Sequence, residues 1–296
     1  MELKVLGRTN KKFPSVWLKL LLPREPDKTD SLVSAAVEAK TVIDVTSQPA
    51  LFGGFMRGSD ATLAVSGGLS LERAVDEKMA MDFLQAELIQ SLSAVGRMHF
   101  DFFFLQIRKP LEEFQIAGAM QSLELARQEG HIKFLGLDVV GPPLPSLGIW
   151  HFHDAFEVIK MPYNPCAKEP FEVLADLAKE RRVGIITHRC LCWKNSIPFM
   201  QFLTQSKVDS DSLAQSAISS NLDVGPVSVG VRDEREIGLA ISALGSPKLS
   251  EETIETALDE MNRGSKWGEL AKSSNRNIRE LAEKWLLQNS IGSDSH

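Results

Sequence analysis

The stretch ELIQSLSAVGRMHFDFFFLQ, Glu87 to Gln106, reads as a helix that stops and a strand that follows it. Met81, Leu84, Leu88, Leu92 and Val95 recur at spacings of 3, 4, 4 and 3, which lays them along one face of a long helix. Phe100–Leu105 is then too continuously apolar for a strand with one wet face, and reads as a strand buried on both sides. Working outward, similar short runs lie at Val16–Leu22, Thr41–Val45, Thr62–Val65, Phe134–Val139, Phe156–Met161, Val183–Thr187 and Val227–Val231. Helical patterns separate most of them. Leu32, Ala35, Ala36 and Ala39 share a face between Asp30 and Lys40, and Phe171, Leu174, Leu177 and Ala178 repeat the spacing near Glu172–Arg181.

Eight such strands in roughly 250 residues suggest a closed (β/α)₈ barrel, an α/β fold of the TIM type. No GxGxxG follows any strand, which counts against an open dinucleotide-binding sheet. No Pro/Gly/Ser-rich linker divides the chain, so residues 1–296 read as a single domain. A short hairpin around Gly7–Asn10 precedes the barrel. A helical extension, about 250–296, follows it, with Ile254, Leu258 and Met261 on one helix and Ile278, Leu281 and Trp285 on another. One unit is irregular: QPALFGGFMRGSDAT, Gln48 to Thr62, is glycine-rich and without helical period, so the second helix reads as missing or reduced to a turn.

Composition narrows the function classes. With 43% hydrophobic and 24% charged residues the chain is of ordinary globular type, and a net charge of −6 with no Lys/Arg run argues against a nucleic-acid partner. No apolar run approaches the roughly 20 residues that cross a bilayer. The opening MELKVLGRTNKK lacks a signal peptide's apolar core, and three cysteines are too few for a disulfide framework, so a cytoplasmic location is the expectation. Tyr163 is the chain's sole tyrosine.

In order along the chain, VLGRTN, the block Glu87–Gln106, AMQSLELARQEGHIKFLGLDV, IKMPYNP, VGIITHRCL and VSVGVRDEREI resemble successive motifs of the aldo-keto reductase superfamily. VIDVTSQPALFGG, Val42 to Gly54, is similar to the segment that carries that family's catalytic aspartate and tyrosine. The resemblance implies the barrel fold and hydride transfer from NADPH to a carbonyl. In that chemistry a tyrosine is the acid, a lysine lowers its pKa, an aspartate pairs with the lysine, and a histidine orients the substrate. Matched position by position, the aspartate is retained as Asp44, whereas the tyrosine, lysine and histidine positions read Phe52, Ser66 and Gln106. A phenyl ring donates no proton, and a positioned general acid is worth about 10²–10⁴ in rate. On this reading Asp44 has lost its cationic partner and becomes a strand-end carboxylate bonded to backbone amides.

Cofactor positions implied by the resemblance are altered as well. Those that hold the nicotinamide amide read Asp138, Val139 and Lys160; the stacking tyrosine is His188 and the serine beside it Arg189. Gly230, Arg232 and Arg235 keep the family's phosphate-binding pattern at a helix start, while the adenine-contacting asparagine is Ala240. The expectation is weak NADP(H) binding through its phosphate-rich half. Cys166, Cys190 and Cys192 read as structural or merely accessible thiols, and His151 and His153 as loop histidines, so no metal is expected. Two functions stand: a barrel that has lost catalysis and serves a binding, regulatory or subunit role, with its C-terminal helices as a partner surface, or a divergent NADPH-dependent oxidoreductase.

Overall fold

The computed structural model describes residues 3–140, 143–163, 169–190 and 209–256, with residues 272, 279 and 283 beyond them. Cys166, Cys192 and the helical stripe through Ile278, Leu281 and Trp285 lie outside the described residues. Strands β1 (Leu3–Val5) and β2 (Lys12–Pro14) pair antiparallel as the expected hairpin. Eight parallel strands then close into a barrel: β3 (Val16–Leu20), β4 (Val42–Asp44), β5 (Thr62–Gly67), β6 (Phe100–Ile107), β7 (Ile132–Val139), β8 (Val158–Pro162), β9 (Gly184–His188) and β10 (Val227–Val231). Each neighbours its successor in the chain, and β10 returns to β3. Helices α1 (Thr29–Glu38), α2 (Pro49–Met56), α3 (Glu77–Val95), α4 (Glu113–Gln128), α5 (Pro143–Phe152), α6 (Glu169–Glu180), α7 (Ser210–Asn221) and α8 (Glu234–Ser242) lie between and after these strands. Among the described residues no helix is long and apolar enough to cross a membrane.

Alternation along each strand sorts the side chains into two cores. On β6, Phe103, Leu105 and Ile107 join the layer packed under the helices, whereas Phe102 and Phe104 fill the barrel's interior. The interior is floored by aromatics: the Phe13 and Trp17 rings each lie 4.8 Å from that of Phe102, and Phe134 lies 5.2 Å from it. The hairpin closes this end. Gly7 sits at φ +46°, and a Cβ there would fall 1.9 Å from the Gly184 amide nitrogen, so the hairpin turn can lie against the start of β9 only with glycine at that position. Caps set the long helices: the Asp76 carboxylate accepts from the Met79 amide at 2.7 Å, and Glu112 with Gln115 forms a capping box at α4.

The second helix is present, which corrects the expectation from its glycines. Pro49 sits in its first turn, where a fixed φ favours helix entry, and Phe52 and Met56, four residues apart, are both fully buried. Gly53 lets α2 approach the end of α3: a Cβ would stand 2.0 Å from the Ala94 carbonyl oxygen. Packing thus overrides the low local propensity. Gly53→Ala gives the test, because helix propensity alone favours alanine by about 1 kcal/mol. The expected result is the opposite sign, a loss of about 1–3 kcal/mol in urea denaturation from overpacking; a gain in stability would show that the close approach is not required.

Candidate functional site

At the last positions of the eight strands, the interior-facing parity delivers Lys19, Asp44, Ser66, Gln106, Asp138, Lys160, His188 and Gly230, one from each. This is the C-terminal mouth, where side chains of such barrels converge on function. Pairing across the sheet places Lys19 beside Asp44 and Gly230, and Asp138 between Gln106 and Lys160. Above an aromatic floor the barrel therefore changes to a polar, largely buried layer.

Lys160 organises it. Its ammonium donates to Asp44 Oδ2 at 3.1 Å and Ser66 Oγ at 3.0 Å, and lies 3.0 Å from Asp138 Oδ2. Three N–H groups meet three acceptors, with both carboxylates and the lysine side chain at most 3% exposed. The Phe104 ring lies below, its centroid 4.6 Å from Nζ. Ser66 Oγ in turn donates a hydrogen bond to Asp138 Oδ2 at 3.0 Å. The Thr46 amide donates to Asp44 Oδ1 at 2.9 Å, and the Ser66 amide to Thr46 Oγ1 at 2.7 Å. The expectation that Asp44 lacks a cation is thereby corrected: the cation comes from β8 instead of the third barrel strand. The backbone-amide partner expected for Asp44 is present too, as Thr46.

Electrostatics follow from this geometry. Burial alone would lift the Asp44 pKa, but Lys160, then Lys19 and the Thr46 hydrogen bonds, outweigh it and hold the carboxyl far below its ordinary range. Burial alone would also lower Lys160, yet Asp138 and Asp44 push it up to about 12, so it keeps its proton at neutral pH. His188 goes the other way. Burial lowers it to about 4, and the opposing pull of Asp138 is offset by Lys160, Arg189 and Lys19. The ring is neutral at pH 7, and its Nε2 stands 3.6 Å from Asp138 Oδ1, too long for a hydrogen bond. Both atoms are buried and without a hydrogen-bond partner among the described residues.

The other expected site residues separate from this cluster. Phe52 is fully buried in the layer between barrel wall and helices, so its ring does not line the mouth. Gln106 and Ser66 do, at 8% and 9% exposure. Tyr163 follows β8, its amide donating to the His188 carbonyl and its ring packed 4.8 Å from Phe171. Arg189 is exposed, at φ +58°, with one guanidinium nitrogen 3.4 Å from the Val140 carbonyl.

Some of the residues expected to grip NADP(H) meet other partners. The Arg235 guanidinium is held by both Asp211 oxygens, at 2.5 and 2.7 Å. At the start of α8 the Glu236 amide donates to Asp233 Oδ1, and the Arg232 amide to Glu236 Oε2. A phosphate arriving there would have to displace two carboxylates of the chain. Ala240 is fully buried and cannot contact an adenine. At the other end, Asp138 and Lys160 are bound to each other. Arg235, the α8 amides and Lys160 are thus engaged within the chain, whereas the guanidinium groups of Arg189 and Arg232 meet no carboxylate among the described residues. Among the described residues no cluster of His, Cys, Asp and Glu could hold a metal ion. His151 and His153 stand at the end of α5, and Cys190 is buried.

Two residues of the mouth escaped the reading of the sequence. In the sequence Lys160 stands only at an altered cofactor position, and Lys19 matches no motif of the resemblance. Their signal was available: VWLKL and VIKMP each carry one lysine at interior parity near the strand end, a position that is costly unless the charge has a use.

No protein-family model matches the sequence, and no curated protein matches it. Solved structures do share its fold. The chain is similar to aldo-keto reductase AKR11C1 from Bacillus halodurans, holo form, with a TM-score of 0.69 at 14% identity, over 88% of this chain and 96% of that one. It is similar to an aldo/keto reductase from Brucella melitensis, with a TM-score of 0.64 at 12% identity over 88% and 99%. The glycerol dehydrogenase AKR11B4 from Gluconobacter oxydans gives 0.62 at 15% identity over 86% and 93%. The chain has the fold of the aldo-keto reductases.

Proposed function

We propose that this chain is an aldo-keto reductase superfamily member that no longer reduces carbonyls and serves a binding, regulatory or subunit role. One observation carries the reading: the buried cation of the mouth spends all three of its N–H groups on Asp44, Asp138 and Ser66. Carbonyl reduction needs a group that releases a proton to the developing alkoxide. Lys160 holds its proton up to about pH 12, His188 is neutral, and the phenol position is a buried phenylalanine. Dinucleotide binding on this reading is weak, because Asp211 holds Arg235, Asp233 and Glu236 hold amides at the α8 start, and Lys160 is bound to Asp44 and Asp138. A cytoplasmic location and a protein partner on the C-terminal helices, about 250–296, belong to the same reading.

The divergent oxidoreductase stays as a second reading on a separate observation. His188 Nε2 and Asp138 Oδ1 are buried, face each other and have no hydrogen-bond partner among the described residues, an arrangement that can take up a proton. Oxidation of NADPH in the presence of aldehydes and ketones at neutral pH separates the two. The expected result is no turnover above the uncatalysed rate. Turnover near 10 s⁻¹, about the enzyme median, that disappears in His188→Phe would establish the second reading.

A further inference from the structure

On the outer face of the barrel a groove stays open between α4 and α5. One part of it, about 480 Å³, follows Ala117, Met120 and Leu125 along α4 to His153. His153 also bounds a second hollow of about 220 Å³ beside Leu111, Ile116 and Phe152, so the two run together. The Phe152 ring stands 81% exposed at its edge. An exposed aromatic joined to an apolar groove marks a contact surface rather than a scattered surface residue.

The rim of this groove is acidic. Glu124 lines it, and Glu112, Glu113 and Glu129 stand at the ends of α4. None of the four meets a lysine or arginine among the described residues: Glu124 is held by the neutral Gln128 amide, and Glu129 by His131. Arg127, the one cation of α4, is taken by Glu157 at 2.8 Å. The groove therefore suits an apolar helix flanked by positive charge. Its length follows from α4, whose 16 residues span about 24 Å at 1.5 Å per residue.

This chain carries such a segment. The continuous described residues end at Thr256, and in the sequence beyond them Trp267, Leu270, Ala271, Ile278, Leu281 and Trp285 fall on one face at helical spacing. As a helix the stretch from Trp267 to Trp285 would measure about 28 Å. Arg263, Lys266, Lys272, Arg276, Arg279 and Lys284 outnumber Glu269, Glu280 and Glu283 there, although the whole chain has a net charge of −6. Strand order decides whose groove it reaches. β6, which leads into α4, lies four strands from β10 in either direction round the barrel, and α8 follows β10. Leu249 is still bonded to Ser220 of α7, on that far side. To fill its own groove the segment would have to pass round half the barrel, whereas a second copy can present its segment directly.

We propose that the α4–α5 groove receives the basic apolar segment Arg263–Trp285 of a second copy of this chain. The inference rests on the reading of the C-terminal segment as a partner surface and names that partner. Sedimentation velocity on the full chain over a range of concentrations tests it. The expected result is self-association that weakens with salt. Phe152→Glu should weaken it about thirtyfold or more, the loss of an aromatic anchor, and Trp285→Glu should act alike. Thermal melting checks that each variant is folded; the charge variant Lys272→Glu, Arg276→Glu replaces Trp285→Glu if that protein does not fold. Mixing the groove variant with the segment variant is the decisive step. Each retains the half that the other lacks, so the mixture should associate where neither does alone. The proposal is overturned if the parent is monomeric throughout, which would leave the groove to a different occupant. It is equally overturned if Phe152→Glu associates as the parent does, or if mixing restores nothing, which marks groove-on-groove contact. Turnover in the separate NADPH assay would end the non-catalytic reading and leave this result standing.

Discussion

Replacing Lys160 with methionine is expected to lower the stability of the chain by about 3–5 kcal/mol, the largest effect of any single change considered. The side chain keeps most of its volume, so the loss is electrostatic. Without the ammonium, Asp44 and Asp138 face each other in the middle of the barrel, each at most 2% exposed and neither able to recruit bulk water. At least one must then take up a proton on folding, so the penalty should shrink as the pH falls toward the ordinary carboxylate range. Urea denaturation at pH 7 and pH 5 measures both effects. The triple variant Lys160→Met, Asp44→Asn, Asp138→Asn removes the charges together and should recover much of the loss, since apolar or neutral replacements of a buried ion pair are often tolerated. A Lys160→Met protein as stable as the parent would mean that the ion pairs are not closed in solution, and the reading of a proton-locked mouth would fall with them.

The second large effect is acid sensitivity through His188. Its folded pKa of about 4 lies below the ordinary 6.5, so the folded state favours the neutral ring. Between these values the unfolded chain binds the extra proton and the folded chain does not. Stability therefore falls as the pH drops from 6.5 through 4, by about 3 kcal/mol for this group. Asp44 adds to the loss below its ordinary pKa of 3.8, because its folded value is depressed and its pairing with Lys160 is lost on protonation. Lys160 acts at the other end of the scale: its contribution is complete below about 10.5 and disappears as the pH rises through 12. Denaturation curves of the parent and His188→Gln between pH 7 and pH 4 isolate the histidine. The parent should lose about 3 kcal/mol more than the variant. If it gains stability instead, the protonated ring has closed the 3.6 Å gap onto Asp138, and the mouth holds an additional ion pair.

Both effects depend on residues that the sequence displays but does not join. The strands of the barrel were legible because burial on both faces writes continuous apolar runs, and Val16–Leu20 through Val227–Val231 fall within or close to the runs read from the chain. The long helix ending at Val95 was legible for the same reason, since its 3.6-residue period is local. Its buried stripe is Ala80, Leu84, Leu88, Leu92 and Val95, with Ala80 in the place given to Met81. Helix α2 was not legible. Its glycines lower local propensity, and only the nearness of the Ala94 carbonyl shows why Gly53 is there.

By itself the sequence determined the number and order of the barrel strands, the hairpin beneath them, and that Tyr163 is the one tyrosine available. Each of these is a property of spacing along the chain. The tertiary structure alone decided which mouth residues bond to one another. Lys160 and Asp44 are 116 residues apart, and closure of the sheet brings them to 3.1 Å. It likewise tied Arg235 to Asp211 and left Lys19 without an ion pair among the described residues. Periodicity fixes the face on which a side chain lies, whereas a charge finds its partner by distance through space, and in a closed barrel that distance is set by strand order and register together.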